Sequence, residues 1–382
     1  MRRPMTRREF AALTAASVAG WPWAACATGA LFQRVADEMA WAGIPGASLA
    51  TVSARAIQSA HFGMSDVAQR LPVTSATVFE AASLSKPVFA YAALQLVTTG
   101  KLHLDRSLDS YLTARYPIDD SLAERITARH VLTHTSGLPN WRPDNGKALT
   151  LLFTPGLKYN YSGEGFYFLQ TAVESITGTS MAQFMRKALD ALGMRRSSYV
   201  WRESYAADSA LPYDRDGKPM MHDTALLGRR LTAAAERLNK RFETLTTAEV
   251  LAALPRLHPP QTPVPHNAMP NAAWSLLTTA GDYAKFVQRL LKHPEHPMLR
   301  PALQLSPYVW RGLGVALQKR GPKLAFFHTG ANPGFKSVMF GDLTAGRGVV
   351  SFTNSQGGFP FNMHALENEM GDQPAVFYLE QP

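Results

Sequence analysis

The pattern of apolar and polar residues changes twice along this chain. Strand-like alternation marks six segments, two near the start and four near the end: residues 46–54, 56–63, 312–319, 324–330, 335–343 and 348–355. Helical spacing precedes the first of them, over 31–43, and follows the last, over 361–370. This order predicts an α/β fold of the α+β type, in which both ends of the chain complete one antiparallel sheet flanked by helices.

The middle of the chain carries mostly helical signals, from Ser83 to about residue 253, and a further helix is predicted over 271–292. The proline-rich segment 257–270 is predicted to be a loop. We therefore predict an α/β sheet domain formed by residues 28–80 with 271–382. Residues 81–270 are predicted to form an inserted, mostly helical domain.

Residues 1–27 are predicted to be an export signal. The segment "TRREF" contains the twin arginine Arg7 and Arg8, and an apolar run follows from residue 11 to residue 27. Cys26, the single cysteine, is either the acylated first residue of a lipoprotein or is removed with the signal. These features predict an exported, periplasmic protein, with a lipid anchor at Cys26 as an open alternative.

Composition and charge narrow the classes of function. Hydrophobic residues make up 46% and charged residues 18% of the 382 positions, which is typical of a globular protein. The net charge is +10, but no Lys/Arg run alternates with aromatic residues, so we expect no nucleic-acid partner. The histidines lack metal-ligand spacing and no nucleotide-binding glycine pattern occurs, so neither a metal nor a cofactor is expected.

Two polar residues stand at the start of an apolar segment, "EAASLSKPVFAYAALQLV", which runs from Glu80 to Val97. Ser83 and Lys86 are three apart, so on a helix they share one face. The free N–H groups at a helix N-terminus favour developing negative charge, and a desolvated lysine can take the proton of a serine hydroxyl. Alone, the pattern is more typical of a serine cap and a solvent-facing lysine, and the accompanying motifs give it its specificity.

Three further motifs accompany this pair in order along the chain: "ITARHVLTHTSGLP", "YNYSGEGFYFLQ" and "HTGANPGF". Together with "FEAASLSK" they resemble the serine β-lactamase and penicillin-binding-protein superfamily, in its branch of class C β-lactamases, DD-peptidases and esterases. The resemblance covers roughly residues 32–355. It implies a β-lactamase/transpeptidase-like fold, with the site between a sheet domain and a helical domain.

The resemblance also implies roles for individual residues. Ser83 matches the acylated nucleophile, Lys86 its partner, and Tyr161 the general base that later serves as acid. His328 stands where many relatives have lysine. The implied oxyanion and substrate-binding groups are the N–H groups of Ser83 and Ala331, with Thr329, Gly330 and Gly163 beside them.

One position departs from the family pattern. The second motif of penicillin-hydrolysing relatives is usually Tyr-x-Asn, whereas this chain has Tyr161-Ser162-Gly163. The asparagine side chain ordinarily bonds the lysine and the amide of an acylamido substrate, and glycine can do neither. Glu164 is interpreted as a solvated turn carboxylate.

The sequence therefore predicts a serine hydrolase that acts through a Ser83 acyl-enzyme on an ester, amide or D-Ala-peptide, with a small-molecule or peptidoglycan-derived substrate. Two alternatives stay open. One is a class C-like β-lactamase or DD-carboxypeptidase. The other is a penicillin- or muropeptide-binding protein with little turnover.

Overall fold

The computed structural model describes residues 35, 37–142, 149–221, 224–250, 252 and 270–379. The predicted export signal with Cys26, and the proline-rich segment except Pro270, lie outside these residues. Within them, the dominant feature is a nine-stranded antiparallel sheet in the order β3-β2-β1-β11-β10-β9-β8-β7-β6. Its strands are β1 Gly46–Ser53, β2 Ile57–Asp66, β3 Leu71–Pro72, β6 Leu303–Gln304, β7 Val309–Arg311, β8 Ala316–Arg320, β9 Lys323–Asn332, β10 Phe335–Asp342 and β11 Arg347–Thr353.

The two ends of the chain meet in the middle of this sheet. Strand β1 pairs antiparallel with β11, from Ala47 opposite Thr353 to Ser53 opposite Arg347. A separate two-stranded sheet joins β4, Phe79–Glu80, to β5, Leu277–Thr278. The predicted fold class, an antiparallel sheet completed by both ends and flanked by helices, is confirmed.

Helices cover both faces of the sheet. The α-helices whose bounds lie within the described residues are α1 Ser85–Thr98, α2 Ala128–Leu132, α3 Gly163–Thr177, α4 Met181–Ala191, α5 Thr224–Arg237, α6 Ala280–Lys292, α7 Phe359–Met370 and α8 Pro374–Leu379. The start of the helix predicted over 31–43 lies outside the described residues, and residues 37–41 are helical. Helix α6 packs on β1 and β11, and α7 packs on the opposite face against β10 and β11. Helix α1 is buried almost all round, as its continuous apolar sequence predicts. None of the helices in the described residues has the length and apolarity that crossing a bilayer requires.

Two predicted elements begin several residues later in the structure than the sequence predicts. The helix predicted over 271–292 begins only at Ala280, because the Thr279 side chain accepts a hydrogen bond from the Asp282 N–H and caps the helix there. The strand predicted over 312–319 begins at Ala316. Gly314, at φ +90°, lies in the bend before it. The division into two domains stays a prediction.

Candidate active site

Ser83 lies in a short 3₁₀ turn, Ala82–Leu84, that leads directly into α1. Ala82 has a φ of 51°, a left-handed conformation that is costly for a residue with a Cβ atom. The turn is held by Ser85, whose Oγ donates to the Ala82 carbonyl at 2.6 Å and accepts from the Leu276 N–H at 3.0 Å. Ser83 is half-buried while both its neighbours are buried, so the turn presents its hydroxyl alone.

Lys86 is fully buried beneath this turn. Its Nζ lies 3.1 Å from the Ser83 Oγ and donates to the Ala273 carbonyl at 2.9 Å. Burial, and secondarily the Arg311 cation, hold the pKa of Lys86 well below its usual 10.5. A lowered pKa favours the neutral amine, and only the neutral amine has a lone pair that can accept the proton of the Ser83 hydroxyl.

Tyr161 immediately precedes the cap of α3 and brings a phenol to the same place. The Lys86 Nζ lies 4.7 Å from its ring centroid, and the His328 ring lies 6.1 Å away. The cap is Ser162, whose Oγ accepts from the Gly165 N–H at 2.9 Å. The structure thus brings together Ser83, Lys86, Tyr161 and His328, although the four come from three separate motifs.

His134 packs against the ring of Tyr161. The two rings stack at 4.4 Å between centroids, and the His134 Nδ1 accepts from the Ser162 N–H at 3.1 Å. An accepting Nδ1 carries no proton, and burial lowers the pKa of His134 well below 6.5, so the ring is neutral. These contacts assign His134 a positioning function for Tyr161.

His328 is buried on β9 with its Nδ1 2.7 Å from the Thr329 carbonyl oxygen, to which it donates. Burial, and secondarily the Arg311 cation, lower its pKa well below 6.5. At neutral pH this lowered pKa favours the uncharged imidazole. A neutral imidazole differs in kind from the lysine of many relatives, because it adds no positive charge to the site.

Gly330 allows β9 to approach the Ser83 turn closely. A Cβ atom at this position would lie 2.5 Å from the Ala81 carbonyl oxygen and 2.3 Å from the Ser337 Oγ. Strand β8 pairs with β9 only as far as Phe327. From residue 328 onwards, the edge of β9 that β8 leaves unpaired contacts the Ser83 turn. Ala331 is exposed on this edge and Thr329 is half-buried. The oxyanion role of the Ser83 and Ala331 N–H groups stays a prediction.

Gly163 is the first residue of α3, and its N–H donates to the Asn140 Oδ1 at 2.9 Å. A Cβ atom here would lie 1.9 Å from Cη2 of Trp141, so the indole occupies the space in which a side chain would begin. Trp141 contacts Trp274 edge to face, with centroids 4.2 Å apart.

The interpretation of Glu164 as a solvated carboxylate is wrong. Glu164 is buried, forms an ion pair with Arg142 and accepts a hydrogen bond from the Tyr116 hydroxyl. A buried carboxylate requires such partners, and the sequence gives no sign of them because Tyr116 is 48 residues away. Glu164 therefore belongs to the support of the site.

The sequence of this chain matches the Beta-lactamase family over residues 31–369. The chain belongs to the Beta-lactamase family. Its fold is similar to that of the octameric penicillin-binding protein homologue from Pyrococcus abyssi, with a TM-score of 0.66, 21% sequence identity and coverage of 91% of this chain and 78% of that chain.

Curated relatives carry several activities in their names. Esterase EstB of Burkholderia gladioli is 30% identical over 41% of this chain and 46% of its own length. Lovastatin esterase of Penicillium rubens is 34% identical over 33% of this chain and 41% of its own length. Penicillin-binding protein 4* of Bacillus subtilis is 28% identical over 34% of this chain and 32% of its own length. The chain thus spans less than half the length of these relatives, and membership supports a serine hydrolase without naming a substrate.

Arg311 lies near the candidate site, and the sequence analysis did not identify it. Only 2% of the residue is exposed, and its Nε and Nη2 have no hydrogen-bond partner in the described part of the chain. Its guanidinium lies 6.0 Å from the Tyr159 ring centroid, and its charge lowers the pKa of Lys86, His134 and His328. No local sequence pattern marks Arg311, which lies 225 residues after Lys86 in the numbering.

Proposed function

We propose that this member of the Beta-lactamase family is a serine acyl hydrolase that works through an acyl-enzyme at Ser83 and prefers esters. The observation that carries the proposal is the buried Lys86 amine, 3.1 Å from the Ser83 hydroxyl and held at a lowered pKa. A serine hydroxyl is a weak nucleophile until a neighbouring base takes its proton, and a lysine that is neutral at working pH can do so.

The proposed reaction has two halves. The Ser83 Oγ attacks the substrate carbonyl carbon while its proton passes to Lys86, directly or through Tyr161. The N–H groups of Ser83 and Ala331 stabilise the oxyanion of the tetrahedral intermediate. Collapse breaks the bond to the leaving alcohol, which takes up the proton. Water, deprotonated by the same groups, then attacks the acyl-enzyme and releases the acid.

The ester preference rests on Gly163. A side-chain amide at this position would bond an acylamido substrate, and its absence costs about 1–3 kcal/mol, or one to two powers of ten in rate. Simple esters require no such bond. The esterase names of two relatives support this substrate class, whereas the name of penicillin-binding protein 4* supports the alternatives of a DD-carboxypeptidase or a protein with little turnover.

The place of action is part of the proposal. The twin arginine at Arg7 and Arg8 supports export to the periplasm, with Cys26 as the candidate site of a lipid anchor. In that compartment, the substrate would be a small ester or a fragment of the cell wall.

Labelling with a fluorophosphonate tests the acyl-enzyme. Wild type should gain one adduct, which maps by peptide mass to Ser83, and Ser83→Ala should gain none. Ser121→Ala, at an exposed serine, is the matched control and should label normally. An adduct that persists in Ser83→Ala would remove Ser83 from the reaction.

Substrate preference requires a second measurement, the ratio of kcat/KM for a p-nitrophenyl ester to that for a chromogenic cephalosporin. We expect a ratio that favours the ester by at least tenfold. A ratio that favours the cephalosporin would instead support the β-lactamase alternative. A burst of one equivalent with both substrates, followed by no turnover, would support the binding protein.

A further inference from the structure

The loop before α3 places a tryptophan over Gly163. A Cβ atom built on Gly163 would lie 1.9 Å from Cη2 and 2.0 Å from Cζ3 of Trp141. Real side chains do not approach so closely, so the indole at 141 and a side chain at 163 exclude each other. The space that an amide would fill is therefore occupied by an aromatic ring.

Polar contacts on both sides of Trp141 hold this loop against the helix. The Asn140 side chain accepts from the Gly163 N–H and its carbonyl accepts from the Glu164 N–H, both at 2.9 Å. Arg142 forms an ion pair with the buried Glu164 and donates to the Tyr116 hydroxyl at 2.9 Å. Residues on either side of the tryptophan are thus tied to the first turn of α3, which fixes its position.

Trp141 and Trp274 form a wall beside the nucleophile. Their rings meet at 71° with centroids 4.2 Å apart, and the Lys86 Nζ lies 5.7 Å from the Trp141 ring. Trp274 directly follows Ala273, whose carbonyl holds Lys86. Trp141 is 37% exposed, so one part of the indole faces solvent at the mouth of the site. The same Lys86 Nζ lies 3.1 Å from the Ser83 Oγ, so an acyl group on Ser83 would start close to this wall.

We propose that Trp141, braced by Trp274, is the residue that sets acyl specificity, selecting esters of apolar acyl chains and excluding acylamido groups. The inference rests on the acyl-enzyme chemistry proposed for Ser83 and names the substrate class of that site. An indole offers a flat apolar surface to the acyl chain. It also closes the position from which a side-chain amide would recognise the substrate.

The expected effect scales with chain length. Each methylene that contacts the wall contributes about fourfold in kcat/KM when it leaves water. From acetate to hexanoate, wild type should therefore gain at least tenfold in kcat/KM on p-nitrophenyl esters. Trp141→Ala should flatten this dependence, and Trp141→Phe should retain part of it. Trp41→Ala, at a tryptophan that is 76% exposed, is the matched control and should leave the profile unchanged.

A double substitution tests whether the Trp141 indole excludes a side-chain amide at position 163. In Gly163→Asn alone, the new side chain clashes with the Trp141 indole. The ratio of kcat/KM for the cephalosporin to that for the ester should therefore stay unchanged. In a Trp141→Ala background, the same asparagine has room and should raise the ratio about tenfold over Trp141→Ala alone. Melting temperatures of all variants show which are folded, and Trp141→Phe carries the chain-length test if Trp141→Ala is not.

The outcomes separate this inference from the proposed function. A flat chain-length profile in Trp141→Ala, with a steep one in wild type, supports the wall. Equal profiles in wild type and both Trp141 variants would overturn it, as would a gain in Gly163→Asn as large as that in the double variant. Absence of both labelling at Ser83 and ester turnover in wild type would instead defeat the acyl-hydrolase proposal itself.

Discussion

Replacing Lys86 with methionine should change how stability depends on pH. Methionine has a similar length and no charge, so Lys86→Met removes the titrating amine while filling most of its volume. The lysine is buried, and its amine contacts the Ser83 hydroxyl and the Ala273 carbonyl. Burial and the Arg311 charge hold its pKa well below the usual 10.5. Its protonation therefore differs between the folded and unfolded chains.

The sign of the effect follows from where the proton is bound. Below pH 10.5 the unfolded chain protonates this lysine, whereas the folded protein does so only once the pH falls to the lowered value. Across that window, wild-type stability rises with pH by about 1.4 kcal/mol per unit and is lost as pH falls. Lys86→Met lacks this contribution, so its stability relative to wild type should decline as pH rises through that window, by about 1.4 kcal/mol per unit.

Urea unfolding of both proteins at pH 7.5, 8.5 and 9.5 measures this difference. The window lies above 6.5, so the neutral His134 and His328 do not titrate in it in either state. Groups that titrate equally in both variants cancel. Lys319→Met, at an exposed lysine, is the matched control and should run parallel to wild type. A constant difference between Lys86→Met and wild type would mean that Lys86 keeps its proton when folded, which would refute its assignment as a base.

Three other predictions concern the surroundings of the site and the N-terminus. Arg311→Gln removes a cation that lowers the pKa of Lys86, so this pKa should rise and the acidic limb of the pH profile of kcat/KM should move to higher pH. An acidic limb at the wild-type pH would contradict this. Gly330→Ala places a Cβ atom 2.5 Å from a carbonyl oxygen, so thermal unfolding should show a loss of about 1–3 kcal/mol and ester kcat/KM should fall at least tenfold; wild-type values would disprove the close approach. Arg7→Lys with Arg8→Lys should strand the protein in the cytoplasm by cell fractionation, whereas normal periplasmic levels would dismiss the twin-arginine signal.

The sequence predicts those elements of the fold that a pattern of neighbouring residues marks. Alternating residues marked β1, β2 and β9–β11, and the continuous apolar run marked α1. The short strands β4 and β5 escaped prediction because each has two residues and exists only through pairing across nearly 200 positions. The first residues of 271–292 were assigned to a helix because strand β5, Leu277–Thr278, is recognisable only by its pairing with β4. The helix begins after it, at the Thr279 cap.

The site residues, too, were predictable only where a local sequence pattern marks them. Ser83 and Lys86 are three residues apart, so the sequence alone places them on one face. The wall formed by Trp141 and Trp274 joins residues 133 positions apart in the numbering, and no periodicity reports such a contact. The ordered motifs located the site, whereas the environment that sets its charge and shape appears only in three dimensions.

The groups that give this site its chemistry are the same ones that cost the fold stability. A buried amine and a buried guanidinium with unpartnered N–H groups in the described structure are both unfavourable to desolvate. Ala82 and His134 add left-handed backbone at φ 51° and 57°. Each cost has a return in the proposed reaction, because burial lowers the pKa of Lys86, the turn at Ala82 exposes Ser83, and His134 stacks on Tyr161. Stabilising substitutions at these positions should therefore lower activity, whereas those on the far face of the sheet, under α7, should not.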